Sequence, residues 1–180
     1  MPDDELLEQA LRFVSHPLPA IRRAALAVSI GAGGEQARDA LVAALADADD
    51  AIQVAALNGL RRLGGVGRAV VDLVVPIVDD EGAGDELRAA AAALLGDADE
   101  TAAAAAHAAL CRALEPVKAS FTSRLLGTAK GDGSIPLLRS AARAALKLGR
   151  PGARAAVERR LRASKGDARD ALQQVLGELG

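Results

Sequence analysis

The sequence predicts an all-α fold, an array of about five stacked helix pairs. Three observations predict it: a repeated segment, a helical apolar period between its copies, and an alanine-rich composition almost free of aromatic residues. The repeated segment occurs as AIRRAALAVSIG (20–31), AIQVAALNGLRRLG (51–64), ELRAAAAALLG (86–96), LLRSAARAALKLG (137–149) and DARDALQQVLGELG (167–180). Each copy opens on an aliphatic or small residue, followed in four of the five by Arg. Each continues with Ala at helical spacing and closes on Gly, the residue that best fits a helix C-terminus. The equivalent positions Ile21, Ile52, Leu87, Leu138 and Ala168 are separated by 31, 35, 51 and 30 residues. Three of these steps fit a helix pair, and the long one holds about twenty additional residues.

The elements follow in order. Leu6, Leu7, Ala10, Leu11 and Val14 form one apolar face and define the first helix; Ala37, Ala40, Leu41, Ala44 and Leu45 repeat the pattern in the second unit. Asp-rich turns (DADD at 47–50, DDEGAGD at 79–85, KGD at 165–167) separate the paired helices and supply N-terminal caps. AVVDLVVPIV (69–78) has the composition of a buried strand. The repeat register nevertheless assigns it to the first helix of the third unit, with Pro76 kinking or ending the last turn. Over 100–134 an Ala-rich helix (about 100–114) stops near Pro116; a further helix (about 117–129) then leads to the turn GDGS at 131–134, adding one helix to the fourth unit. The last helix is expected to bury Ala168, Ala171, Leu172, Val175, Leu176 and Leu179. The first is expected to be polar outward, through Asp3, Asp4, Glu8 and Arg12. Polar ends of this kind are what a complete array requires. The expectation is therefore one domain over 1–180, an α-solenoid with units at about 3–31, 34–64, 67–96, 100–149 (with the insertion) and 151–180.

These segments resemble HEAT repeats, particularly the short bacterial form also found in phycobilisome-lyase-type proteins. The resemblance rests on the Asp-rich turn within each unit, the aliphatic-Arg-x-x-Ala opening of the second helix and its Leu/Gly close. It covers nearly the whole chain, weakly at 97–134. It implies second helices lining a concave face, and pairing of turn Asp with helix Arg along the stack: here Asp85 with Arg88 and Asp132 with Arg139. Gln53 stands where the second unit would have its Arg, opposite Asp49 or Asp50, which breaks the ladder. Such repeats serve as scaffolds, adaptors and inhibitors more often than as enzymes.

Composition excludes several function classes. Nearly half of the apolar residues are Ala, and Phe13 and Phe121 are the only aromatics. That argues against a deep ligand pocket and against base stacking on single-stranded nucleic acid. The lone Cys111 excludes an internal disulfide. An acidic N-terminus and the lack of a membrane-length apolar stretch lead to an expected cytoplasmic location, with no membrane contact.

Chemistry is sparse. His107 and Cys111 share a helix face, with Glu100 and Glu115 near the same stripe; two ligands four apart can begin a zinc site or a Cys–His catalytic pair. The only other histidine is His16, and the plainer reading has Cys111 filling a small gap in the core. GAGG (31–34) and GGVG (64–67) resemble phosphate-binding loops but neither follows a strand nor carries the Lys-Ser/Thr of a P-loop. No catalytic residue, cofactor or metal is assigned.

Charge gives the stronger lead. Residues 1–100 hold 18 acidic and 8 basic residues, whereas 101–180 hold 6 and 14. Arg139, Arg143, Lys147 and Arg150 recur along one helix face opposite Leu138, Ala141, Ala142 and Ala145, and Arg154 follows on the next helix. These five are the candidate partner-binding residues; the competing reading is a solvated charged face. The expected function is a non-catalytic protein-interaction scaffold or adaptor whose partner carries an acidic surface. Head-to-tail self-association is its variant, since the acidic half of one copy could dock on the basic half of another. The alternatives are phosphate-backbone binding to nucleic acid, disfavoured by the acidic half, and a bilin-lyase-type enzyme or accessory factor, disfavoured by the absence of Tyr and Trp.

Overall fold

A computed structural model describes residues 2–116 and 133–179. Within them the chain forms the helices α1 (Pro2–Leu11), α2 (Pro19–Ala32), α3 (Gly34–Ala44), α4 (Asp50–Leu63), α5 (Arg68–Asp79), α6 (Asp85–Leu95), α7 (Ala103–Ala113), α8 (Ile135–Leu148), α9 (Ala153–Ala163) and α10 (Gly166–Glu178). No strand occurs among the described residues; one isolated bridge, Val66 to Ala98, ties the α4–α5 loop to the α6–α7 loop. The protein is all-α. The helix expected at 117–129 and Asp132 of the expected Asp132–Arg139 pair lie outside the described residues.

Capping explains where several helices begin and end. The Asp49 carboxylate accepts the Ala51 N–H at 2.9 Å to start α4, and Ser134 Oγ accepts the Leu137 N–H at 3.3 Å to start α8. Before α7, Asp99 Oδ1 accepts from Thr101 N, Thr101 Oγ1 and Ala102 N at 2.6–3.1 Å. These donors, the Thr101 hydroxyl foremost, hold its carboxyl below the usual range against the opposing effect of desolvation. α5 settles the contest between propensity and register. Val70, Val71, Val74 and Val78 recur on one helical face and are all buried, so packing overrides the strand preference of valine. Pro76 lies inside α5, which ends three residues later.

Packing follows a regular order. Each odd-numbered helix packs on the even-numbered helix after it. The even-numbered helices also pack successively on one another, α2 on α4, α4 on α6, α6 on α8 and α8 on α10. α5 packs on α7 and α7 on α9. One continuous apolar cluster built from Ala, Leu, Val and Ile runs from Leu26 in α2 to Val175 in α10. It contains no aromatic side chain, which lets the helices approach closely. One close approach is α6 against α8, where a Cβ placed on Gly96 would stand 2.8 Å from Ala144 Cβ.

Both ends depart from expectation. Leu179 is 51% exposed rather than buried, and it lies just past the end of α10 at Glu178. At the other end Glu8 and Arg12 are exposed and paired at 3.2 Å as expected, but Leu6 and Phe13 are exposed beside them. The first helix is therefore not polar throughout its outer face.

The ladder implied by the resemblance is also rearranged. Arg88 donates Nε to the Val78 carbonyl at 3.0 Å, and among the described residues no ion pair joins it to Asp85. Gln53 donates to the Asp47 carbonyl at 2.5 Å rather than meeting the side chain of Asp49 or Asp50. An Arg–Asp pair forms instead between Arg22 of α2 and Asp47 of the α3–α4 turn: Nε to Oδ2 at 2.7 Å and Nη2 to Oδ1 at 2.8 Å.

Candidate interaction groove

α8 carries its sequence pattern directly into three dimensions. Leu137, Leu138, Ala141, Ala142, Ala144 and Ala145 are buried, and Arg139, Arg143 and Lys147 stand exposed on the other side. Because Ala144 is small and packs against Gly96, the surface over α6 and α8 is a depression rather than a ridge. A cavity of about 430 Å³ lies there. Ala93, Ser140 and Ala144 form its floor, Arg61, Arg143 and Lys147 its basic rim, and Glu178 and Leu179 close it at the α10 end.

The rim is held by the chain's own carboxylates. Arg143 donates to Glu178 Oε2 from Nη2 at 2.6 Å and from Nε at 3.1 Å. That pair, foremost, keeps the Glu178 carboxyl below the usual range against desolvation, with Gln174 and the charge of Arg139 adding to it. Asp97, just past α6, accepts from Lys147 on one side and from Arg61 Nε at 3.1 Å on the other. All of these pairs are partly exposed, and pairs of that kind contribute only about 0–1 kcal/mol each.

Of the five residues expected to bind a partner, Arg143 and Lys147 line the groove. Arg139 lies one turn earlier on the same helix, exposed and without an ion pair among the described residues. Arg150 follows α8 and reaches Glu100 at 3.8 Å; Arg154 is on α9 in an i, i+4 pair with Glu158 at 3.1 Å, away from the groove lining. Arg61, Ala93 and Glu178 were missed. A column-by-column reading of the repeat would have found two of them. Ala93 and Ala144 both stand six places after the opening aliphatic residue of their segments, and Arg61 and Lys147 both stand nine places after it.

The other candidates resolve into local structure. Cys111 Sγ lies 3.5 Å from His107 Nε2, and burial, more than any neighbouring charge, pushes its thiol up. A raised thiol is a weaker nucleophile at neutral pH. Glu100 and Glu115 are directed to Arg150 and Arg159, and no group of three or more possible ligands could hold a metal among the described residues. His16 Nδ1 accepts the Leu18 N–H at 3.1 Å, far along the chain from His107. In the GGVG loop the Gly64 and Gly65 carbonyls accept from Arg38 at 2.5 and 3.1 Å, which fastens the end of α4 to α3. A further cavity of about 430 Å³, lined by Glu81, Asp85, Arg88 and Arg160 among others, is mixed in charge. No helix among the described residues is long and apolar enough to cross a membrane.

Comparison with protein-family models finds no match for this chain, and comparison with curated protein sequences finds none either.

Proposed function

We propose that the chain is a non-catalytic scaffold or adaptor, an α-solenoid of five HEAT-like helix pairs that holds an acidic segment of a protein partner in the groove over α6 and α8. The observation that carries this reading is the basic rim of Arg61, Arg143 and Lys147 around a floor of Ala93, Ser140 and Ala144. The successive packing of the even-numbered helices supports the solenoid reading, because it is the order in which helix pairs stack. Small floor residues let a backbone approach closely. The rim cations are already set at ion-pair distance, so a partner carboxylate replaces Glu178 or Asp97 in a weak, exposed pair. Such exchange costs little, and the surrounding charge orients and speeds the encounter. A cytoplasmic location belongs to the same reading and rests on the lone cysteine.

The test compares wild type with Arg139→Glu/Arg143→Glu/Lys147→Glu by capture from native lysate at low and high salt, read by mass spectrometry. The expected result is an acidic protein held at low salt, released at high salt and lost by the variant, whose helical circular dichroism is unchanged. Equal capture by the variant would remove the groove from the proposal. Nuclease-sensitive recovery of nucleic acid would replace the protein partner with a phosphate backbone.

A further inference from the structure

Three of the five large apolar side chains left exposed on the described chain fall within its first eighteen residues: Leu6 at 53%, Phe13 at 48% and Leu18 at 57%. His16 lies between Phe13 and Leu18 in the chain; its ring centroid is 6.3 Å from that of Phe13 and its Nδ1 accepts the backbone N–H of Leu18. Leu6 also lines a cavity of about 310 Å³ with Val28, Gly31 and Ala32, between α1 and α2. Among the described residues α1 packs on α2 and α3, and Leu6, Phe13 and Leu18 are left exposed there. Exposed apolar surface concentrated at one end of a packed array marks a contact surface.

Charge identifies the occupant. Residues 1–18 contain four carboxylates and one Arg, whereas residues 153–179 contain six cations and four carboxylates. Of these cations, Arg162 and Arg169 are exposed and have no ion pair among the described residues. Leu179, just past α10, is the exposed apolar residue at that end. Within the molecule successive units are already joined in this manner, by apolar packing with cation–carboxylate pairs such as Arg22–Asp47 and Arg112–Asp79 across the seams. A contact between two N-terminal ends would instead oppose carboxylates to carboxylates.

We infer that the occupant is a second copy of this chain, whose α9–α10 end docks on the α1 end through Leu6, Phe13 and Leu18 with Arg162 and Arg169 facing Glu5 and Glu8. The contact is heterologous, so each copy keeps one free end and the assembly grows as a filament or closes as a ring. Leu6, Phe13, Leu18, Arg162 and Arg169 are not among the residues that line the groove over α6 and α8, which shares only Leu179 with this end, and the groove variant above retains the contact.

Sedimentation velocity over a concentration series tests the contact with two variants, Phe13→Lys/Leu18→Lys at one end and Arg162→Glu/Arg169→Glu at the other. Wild type is expected to gain mass with concentration. Each variant alone is expected to remain monomeric, and an equimolar mixture to form a particle of twice the monomer mass and nothing larger, because only one intact end of each remains. A monomeric wild type at every concentration overturns the inference. So does dimerisation of the Arg162→Glu/Arg169→Glu variant by itself, which would mean that two α1 ends meet. Should Phe13→Lys/Leu18→Lys lose helical circular dichroism, the fully surface-borne Glu5→Lys/Glu8→Lys takes its place with the same expectations.

Discussion

Arg22 does two things with one side chain. Nη1 donates to the His16 and Pro17 carbonyls at 2.9 and 3.1 Å, fastening the α1–α2 loop to α2. Nε and Nη2 reach Asp47 of the next unit, and both side chains are largely covered, 14% and 10% exposed. Gln53 and Arg88 occupy the same place in their units and make only the first contact, to the Asp47 and Val78 carbonyls. At these three positions the side chain satisfies carbonyls that follow or end a helix, whereas the equivalent Arg139 and Arg169 are exposed. The hydrogen bonds from Arg22 hold the Asp47 carboxyl below its usual range, despite some desolvation. A group with a lower pKa folded than unfolded adds stability above its unfolded pKa, and that stability disappears as pH falls through the folded value. Wild type should accordingly lose more stability than Asp47→Asn on acidification below the ordinary carboxylate range, the two curves converging at the acid end. Urea midpoints measured across the acid range check this; parallel curves would show that the pair contributes nothing.

Small residues govern the elements. Gly96 follows α6, and a Cβ there would lie 2.8 Å from Ala144 Cβ and 2.9 Å from Ala144 Cα, a backbone atom that no rotamer change can move. Gly59, inside α4, has equally short distances, but to Ile30 Cγ1 and Leu41 Cδ2, side-chain atoms that can shift. The two glycines therefore predict different outcomes. Gly96→Ala should cost about 1–3 kcal/mol by forcing α6 and α8 apart. Gly59→Ala should cost less, because removing a glycine from a helix interior returns up to about 1 kcal/mol. Urea denaturation of both variants, with unchanged m-values, tests the order. The reverse order would mean that α6 and α8 can separate freely. Amphipathicity of α8 and the helical register of valine-rich α5 were legible in the sequence, since both depend on spacing along one segment. Gly96 against Ala144 was not, because neither segment contains information about the distance to the other.

At the scale of the molecule the charge asymmetry takes a different form from the one the sequence alone implied. Lys147–Asp97, Arg150–Glu100 and Arg112–Asp79 join the basic half to the acidic one within a single chain. The basic stripe is thereby partly neutralised, and what remains is a groove rim with exchangeable partners rather than a uniformly positive face. Ala142 lies at the centre of α8, fully buried in the cluster that runs on into α6, α7 and α10. Ala142→Glu should destabilise by on the order of 3–5 kcal/mol, the range for a charge left buried without a partner. Thermal unfolding followed by circular dichroism checks it; a normal melting curve would mean that Ala142 does not face the core.

The sequence by itself determined that the chain is all-α and which faces of α5 and α8 are buried, because these follow from the 3.6-residue period along a single segment. It also located Arg139, Arg143 and Lys147 on one exposed helix face. Only the tertiary structure decided what those cations face. Arg61 and Asp97 come from 86 and 50 residues before Lys147, and Glu178 from 35 residues after Arg143. Such pairings depend on which helices stack side by side and how closely alanine and glycine let them approach, and no local period records either distance.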